Sequence, residues 1–255
     1  INILKKVSII ACEDTRTTKK LLNHFDIKNK LISLNQHNIE KKKEFLISEL
    51  KNNCSIAIVS DAGMPLISDP GESLVKEIKK NNLDVICIPG PCAGLMGLVC
   101  SGFSCSNFVF FGFLPRTKKY RNKILENIFL SKDPSIVYES PKRILKLLID
   151  LKNICGEKRG ISISRELTKK YEQHIGNNIE DALNYFNVYE PKGEFTIIIE
   201  GNKKSEILKD DYLDIIKEDL INLMGAGLSH SAAVNYLYKK NNIPKNKIYN
   251  LVLNK

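Results

Sequence analysis

Several short stretches of this sequence carry residues able to bind a ligand or move a proton, and each borders an apolar run that reads as a strand. Glu13-Asp14-Thr15-Arg16 sets two acids and an arginine after the run at 7–11. Ser60 to Gly71, reading SDAGMPLISDPG, follows Ile56-Ala57-Ile58-Val59. Pro89-Gly90-Pro91 is rigid and poor in side chains, suited to lining a flat ligand with backbone groups. Tyr138-Glu139-Ser140-Pro141 and Arg165-Glu166-Leu167-Thr168-Lys169 end two later strands, with Glu172 beyond, and Gly193-Glu194 enters the last one. In an open α/β sheet, loops at the carboxyl ends of strands form the ligand crevice. Plainer readings stand beside these: a helix cap with first-turn acids for the first stretch, a simple turn for Pro-Gly-Pro, and a surface ion-pair cluster around Arg165.

The stretch 60–71 is the centre of the chain. Its two glycines and two prolines give it a fixed shape and let its backbone approach a ligand. At about ten residues it is longer than most strand-to-helix connections. A helix is predicted over 72–80, with Asp69 as N-cap, Pro70 at the first helical position and Glu72 three residues after the cap. Further strands are predicted at 7–11, 31–34, 85–88, 108–112, 135–138, 160–165 and 195–200. Helices are predicted to about His24, over 39–50, from the Pro89 loop to about Cys100, and over 141–151 and 178–186. Strands and helices alternate, so the fold class is α/β. After Leu114-Pro115 comes Arg116, Lys118, Lys119, Tyr120, Arg121 and Lys123 with no acid among them, read as a linker or mobile loop leading into a helix. From about Lys203 only helical patterns remain, over 212–224, 229–240 and 245–253. Three domains are therefore expected: 1–113, 114–203 and a small basic helical domain over 204–255.

Length and composition narrow the class. A chain of 255 residues with 43% hydrophobic and 27% charged residues reads as an ordinary globular protein. No apolar run approaches a membrane span and no secretory signal pattern occurs, so no membrane association is expected. Seven scattered cysteines without a CxxC, and only four histidines, argue against a zinc site or a disulfide framework. The cysteines read as small core residues of a cytoplasmic protein. The net charge of +10 suits a polyanion such as nucleic acid, though abundant Lys, Asn and Ile also fit plain compositional bias. No acid occurs from Leu220 onward, while Lys239, Lys240, Lys245, Lys247 and Lys255 do. A phosphate-gripping surface and a solvated helical cap are both open readings of that tail. GxGxxG, P-loop, HExxH and GxSxG motifs are absent, which disfavours a Rossmann dehydrogenase or a P-loop NTPase.

CEDTR, SDAGMPLISDPG, PGPCAG, FFGFLPR, YESPKR, RELTKKYE and KGEF occur in the order of the ribosomal RNA small-subunit methyltransferase I family, which this chain resembles over about residues 8–201. Gly227-Leu228-Ser229 with Ala232-Ala233 resembles that family's small C-terminal domain more weakly. The resemblance implies the tetrapyrrole methylase fold: two α/β domains with S-adenosylmethionine in the cleft between them, as a homodimer. It implies 2′-O-methylation of a cytidine ribose in 16S ribosomal RNA, within the assembled 30S subunit. The departures are Met64 for the usual Thr, Cys92 for Ser and Lys142 for His. An earlier family strand with a Pro-Ile-Gly-Asn-Leu loop is not in the sequence, which begins at Ile1, so a missing N-terminal segment is expected.

For such a reaction, Asp14, Glu166 and Lys169 are candidates for the base that takes the hydroxyl proton, with no choice among them. Asp61, Ala62, Gly63, Ile67 and Ser68 are expected to meet the cofactor, with Pro89, Gly90, Pro91 and Ala93 opposite. Tyr138, Arg165, Gly193 and Glu194 are expected to close it from the second domain. Arg116, Lys118, Lys119 and Arg121 are the expected phosphate contacts, with Tyr120 free to stack on a base. Two other functions are weighed: methylation of a tetrapyrrole precursor, which would not need the basic segments, and a non-catalytic RNA-binding module, which need not keep the cofactor.

Overall fold

The computed structural model describes residues 1–202, 205–241, 245, 248, 249 and 251, the side chains of 205–213, 239 and 241 excepted. The helix expected over 245–253 falls mostly outside the described residues, as do the side chains of Lys239, Lys247 and Lys255. The chain separates into two compact units, residues 1–125 with 134–200, and residues 126–133 with 201–255.

The first unit holds two sheets. In the first, β1 (Ile9–Cys12) lies between β2 (Lys30–Ser33) and β3 (Ile56–Val59), all parallel. Helices cover both faces, as an all-parallel sheet requires. On one face Leu46 and Ile47 of α3 (Ile39–Lys51) and Leu74 and Ile78 of α4 (Glu72–Lys80) pack with Ala11 and Leu34. On the other, Leu22 of α2 (Thr15–His24) and Leu4 of the short α1 (Asn2–Lys6) pack with Ile10 and Ile27. Each such buried aliphatic side chain contributes about 1.5–3 kcal/mol of transfer free energy.

The second sheet is mixed, in the order β4 (Val109–Phe113), β5 (Ser135–Glu139), β8 (Phe195–Ile199), β6 (Ile161–Arg165) and β7 (Gln173–Ile175). Only β4 and β5 run parallel; the other pairs are antiparallel. Leu98 of α5 (Ala93–Ser101) packs on Ile136 and Ile198. The contact is close because α5 turns bare backbone to the sheet: a Cβ on Gly97 would stand 2.7 Å from the Thr196 methyl. Helices α6 (Lys118–Leu130), α7 (Pro141–Cys155) and α8 (Ile179–Val188) complete the middle of the chain. Asn178 caps α8, its side chain accepting from the Asp181 N–H at 2.9 Å.

The second unit contains α9 (Ser205–Gly225) and α10 (His230–Asn241) around Ile216, Leu220, Ala233, Val234, Leu237 and Ile248. Its positive charge is partly engaged. Lys240 pairs with Asp219 at 3.4 Å, and Lys245 lies over the Tyr238 ring at 5.2 Å.

Four expectations need correction. Residues 85–88 form no strand. Val85, Ile86 and Ile88 are exposed, and without a neighbour to complete the ladder an apolar run has nothing to pair with. Asp69 does not cap α4; Gly71, at φ 139°, stands there instead, and Asp69 turns toward the loop's own start. The basic stretch after Pro115 enters α6 at Lys118, so most of it is helix. Of the seven cysteines, all free, Cys87, Cys100 and Cys105 are exposed and not core residues.

Candidate active site

Strands β1 and β3 end together. Cys12 pairs with Val59 in the parallel register, so Glu13 and Ser60 leave the sheet side by side. The chain beyond Ser60 folds on itself: the Ser60 hydroxyl faces the carbonyls of Ala62 and Gly63 at 3.3 Å each. Among the described residues, seven non-glycine residues have positive φ. Asp26, Asn53 and Asn82 are short polar residues just past helix ends, where that conformation costs little. The other four are Leu66 (φ 72°) and Ser68 (67°) in the 60–71 loop, and Glu166 (51°) and Thr168 (66°) in the loop after β6. Backbone held in this region concentrates at functional sites.

The 60–71 loop lies against the second sheet. A Cβ on Gly112, at φ 60° in β4, would stand 2.7 Å from Ser68 Oγ, so the loop rests on bare backbone there. Gly63 faces the Pro91 carbonyl, 3.7 Å from where its Cβ would be. The start of α5 is pinned from β5: the Gly94 N–H donates to the Tyr138 hydroxyl at 2.8 Å. Burial, then the Cys92 thiol beside it, pushes the Tyr138 hydroxyl up to about 12. Phe110 and Phe113 flank that ring edge-on, centroids 5.3 and 5.6 Å away.

Glu166, Lys169 and Glu194 form a clamp. Lys169 Nζ reaches Glu166 Oε1 at 3.0 Å and Glu194 Oε2 at 2.9 Å, and the Glu194 N–H donates to Glu166 Oε1 at 2.9 Å. Gly193 admits this contact, since a Cβ there would meet the Glu166 side chain at 2.6 Å. The backbone N–H of Glu194 and then Lys169 hold the Glu166 carboxyl below its ordinary range; the bond to Glu194 raises the Lys169 amine. Arg165 supports the loop by donating to the Lys192 carbonyl at 2.6 Å and the Gln173 amide oxygen at 2.7 Å.

A second group of acids is bonded by no such amine. Burial raises the Glu13 carboxyl, and the charges of Asp69 and Asp61 raise it further. Asp69 is raised by burial, then by Asp61 and Glu194, with a bond from Ser60 offsetting part of the shift. Asp69 also acts on Tyr138, so the stretches after β1 and β3, the end of β5 and the stretch before β8 converge on this one carboxylate. Asp14 differs from its neighbour Glu13. It accepts from the Arg16 N–H at 2.8 Å and pairs with the Arg16 guanidinium at 2.6 Å, which holds it down to about 2. Among the described residues no group of three or more His, Cys, Asp or Glu is placed to hold a metal ion.

The structure thus brings together Asp61, Gly63, Ser68, Pro91, Tyr138, Gly193 and Glu194 from the expected cofactor residues. Ala62, Ile67, Pro89 and Gly90 lie exposed on the same two loops, and Ala93 opens α5. The three expected bases are all engaged in ion pairs. Arg116, Lys118, Lys119 and Tyr120 are exposed. Arg121 is not: at 5% exposure it bonds Asp150 at 2.8 Å and faces the fully buried Glu139 at 3.8 Å, so it braces α6 against α7 and offers no charge to RNA. Glu13 and Asp69 were not among the expected site residues. Their signal was in the sequence, as an acid within two residues of the end of each of two paired strands and a second acid closing the long loop.

The protein-family model of tetrapyrrole (corrin/porphyrin) methylases matches residues 1–183. The chain is 41% identical over 253 residues to ribosomal RNA small subunit methyltransferase I of Halalkalibacterium halodurans, covering 98% of this chain and 87% of that protein. It is 38% identical to the protein of that name from Synechocystis sp., covering 99% and 90%. Among solved structures, diphthine synthase superposes with TM-score 0.61 at 11% identity, covering 78% and 82%. The cobalt precorrin-4 methyltransferase CbiF gives 0.58 at 10%, covering 78% and 86%; likenesses this remote in sequence speak to fold alone. Loops that converge on Asp69 at the strand ends are therefore set in a known scaffold, and the chain belongs to the tetrapyrrole methylase family, among the ribosomal RNA small subunit methyltransferases I.

Proposed function

We propose that this chain transfers a methyl group from S-adenosylmethionine to the ribose 2′-oxygen of a cytidine in 16S ribosomal RNA. The observation that carries the site assignment is the convergence of Glu13, Asp61 and Asp69 with raised proton affinity at Glu13 and Asp69. Uncompensated negative potential of this kind is relieved by a bound cation, and S-adenosylmethionine carries its positive charge at the sulfonium. When bound, S-adenosylmethionine supplies a methyl group already activated for displacement. What the protein adds is mostly positioning. In this reading residues 1–113 and 114–203 supply the two walls. Asp61 to Ser68 and Pro89 to Ala93 hold the cofactor; Tyr138, Arg165, Gly193 and Glu194 close it.

The ribose hydroxyl must lose a proton. Asp14 and Glu166 hold protons weakly because each is already hydrogen-bonded and ion-paired, and the Lys169 amine stays protonated between two carboxylates. Glu13 is the better acceptor: it lies at the carboxyl end of β1, and Asp61 and Asp69 increase its hold on a proton. Arg116, Lys118 and Lys119 are the proposed phosphate contacts, with Tyr120, 62% exposed, for stacking on a base. The exposed basic surface favours RNA over a tetrapyrrole precursor. The homodimer, the assembled 30S subunit as substrate and the cytoplasmic location follow the family resemblance.

The test is transfer of labelled methyl from S-adenosylmethionine to unmodified small ribosomal subunits, followed by mapping of the label. Label on one cytidine ribose 2′-oxygen is expected. Cofactor binding without label would overturn the RNA reading and direct the search to tetrapyrrole precursors.

A further inference from the structure

Helix α2 starts one residue after Asp14 at the mouth of the candidate site, and a groove of about 680 Å³ opens between it and the turn leading to β2. Leu22 and Ile27, both nearly buried, form its floor, and Arg16, Lys19 and Lys28 stand on its rim. No acid lines it. Some lysines elsewhere in the same unit are neutralised, as Lys43 is by Glu40, Lys80 by Glu77 and Lys158 by Glu180. Lys19 and Lys28 are exposed and make no ion pair among the described residues. The Asn23 side chain is likewise exposed with no hydrogen bond there. Asn29, by contrast, is spent on the fold, donating to the carbonyls of Leu4 and Val7, so that wall of the groove is fixed.

Two uncommitted ammonium groups and a guanidinium over an apolar floor suit one chemistry. The cations grip phosphates, while the floor receives the apolar face of a base or ribose. A ten-residue helix is about 15 Å long, enough for several phosphates of one strand. We propose that the α2 groove binds single-stranded RNA flanking the nucleotide being methylated, feeding it past Arg16 into the site. This rests on the RNA reading of the site and adds a second phosphate track to the one expected at residues 116–120. Because the groove begins at the strand end that carries Glu13, strand bound along it is led to the carboxylates and not merely held nearby.

The test compares full-length wild type, K19A/K28A and a control, K41A/K51A, which removes the same charge from exposed positions of α3. Each is titrated with unmodified small ribosomal subunits at several salt concentrations, and S-adenosylmethionine binding is measured in parallel. K19A/K28A is expected to bind RNA about tenfold more weakly, with the slope of log affinity against log salt shallower by about 1.4, two single-strand contacts at about 0.7 each. Its cofactor affinity is expected to match wild type, and the control is expected to keep the wild-type slope. An unchanged slope in K19A/K28A, or an equal loss in the control, overturns the groove and leaves the site reading standing. Failure of wild type to bind the subunits at any salt overturns the site reading, and the groove with it.

Discussion

The two groups of carboxylates in this site are made of the same residue types and behave in opposite ways. Around Glu13, Asp61 and Asp69, acid meets acid: every charge acting on Glu13 is negative, and its hold on a proton rises. Around Glu166 and Glu194 a single amine, Lys169, bonds both side chains, and the Glu166 carboxyl falls below its ordinary range. Burial alone does not separate them, since the Glu166 side chain is only 17% exposed. Burial and then like charge raise Glu13, whereas Glu166 is lowered by the Glu194 backbone N–H and then by a counter-charge. A group left without one is poised for a cation or a proton from outside, while a group given one is a finished structural joint. The contrast assigns chemistry to the first and positioning to the second.

The largest expected effect breaks the first group. E13Q keeps the shape and removes the proton acceptor, so turnover should fall by about 10²–10⁴-fold, while S-adenosylmethionine binding, which keeps the charges of Asp61 and Asp69, weakens far less. The companion variant D69N removes a charge that raises Glu13. Glu13 then gives up its proton at lower pH, and the acid limb of the rate profile moves down. Wild-type turnover in E13Q, or an acid limb unmoved in D69N, would remove Glu13 from the role of base.

A smaller effect is expected on turning the second group into a copy of the first. K169M takes away the amine and leaves Glu166 and Glu194 facing each other. S-adenosylmethionine binding should weaken by about fivefold to tenfold, near the low end for a lost charge-assisted hydrogen bond because the Lys169 side chain is 42% exposed. The Glu166 carboxyl, followed by NMR, should titrate at higher pH than in wild type, and K169R should restore both measures. Unaltered cofactor binding together with an unmoved Glu166 titration would show that the clamp has no hold on the site.

Much of this was legible in the residues. The apolar run at 56–59 and the amphipathic run at 72–80 place β3 and α4 as the structure has them, although the cap expected at Asp69 is not there. The loops that carry the site could be picked out for their length, their glycines and their position after strands. What escaped depends on distant partners. Residues 85–88 have a strand's composition but no ladder. Gln173 to Ile175 have a loop's composition yet form β7, because β6 offers them an edge. Arg121 reads as one more cation in a basic run, and only Asp150, twenty-nine residues later, shows that it faces inward. Asp14 and Glu13, adjacent in sequence, divide between the two kinds of carboxylate for a reason set by one side chain, Arg16.

That division yields the smallest expected effect and the finest test. In the folded chain Asp14 ionises near 2, against an ordinary 3.8, because Arg16 bonds its charged form. A depressed carboxylate stabilises the fold at all pH values above 3.8 and loses that contribution as pH falls toward 2. D14N keeps an oxygen to accept the Arg16 N–H but not the charge. The stability gap between wild type and D14N, read from urea midpoints, should therefore be small and constant at neutral pH, narrow below pH 4, and close near pH 2. A gap that does not change with pH would mean that the charge on Asp14 contributes nothing to stability. Methyl transfer decides the larger issue. If Asp14 belongs with the paired carboxylates, D14N retains turnover while E13Q does not; if D14N is as inactive as E13Q, the proton passes to the paired acid and the contrast between the two groups fails at the residue where they touch.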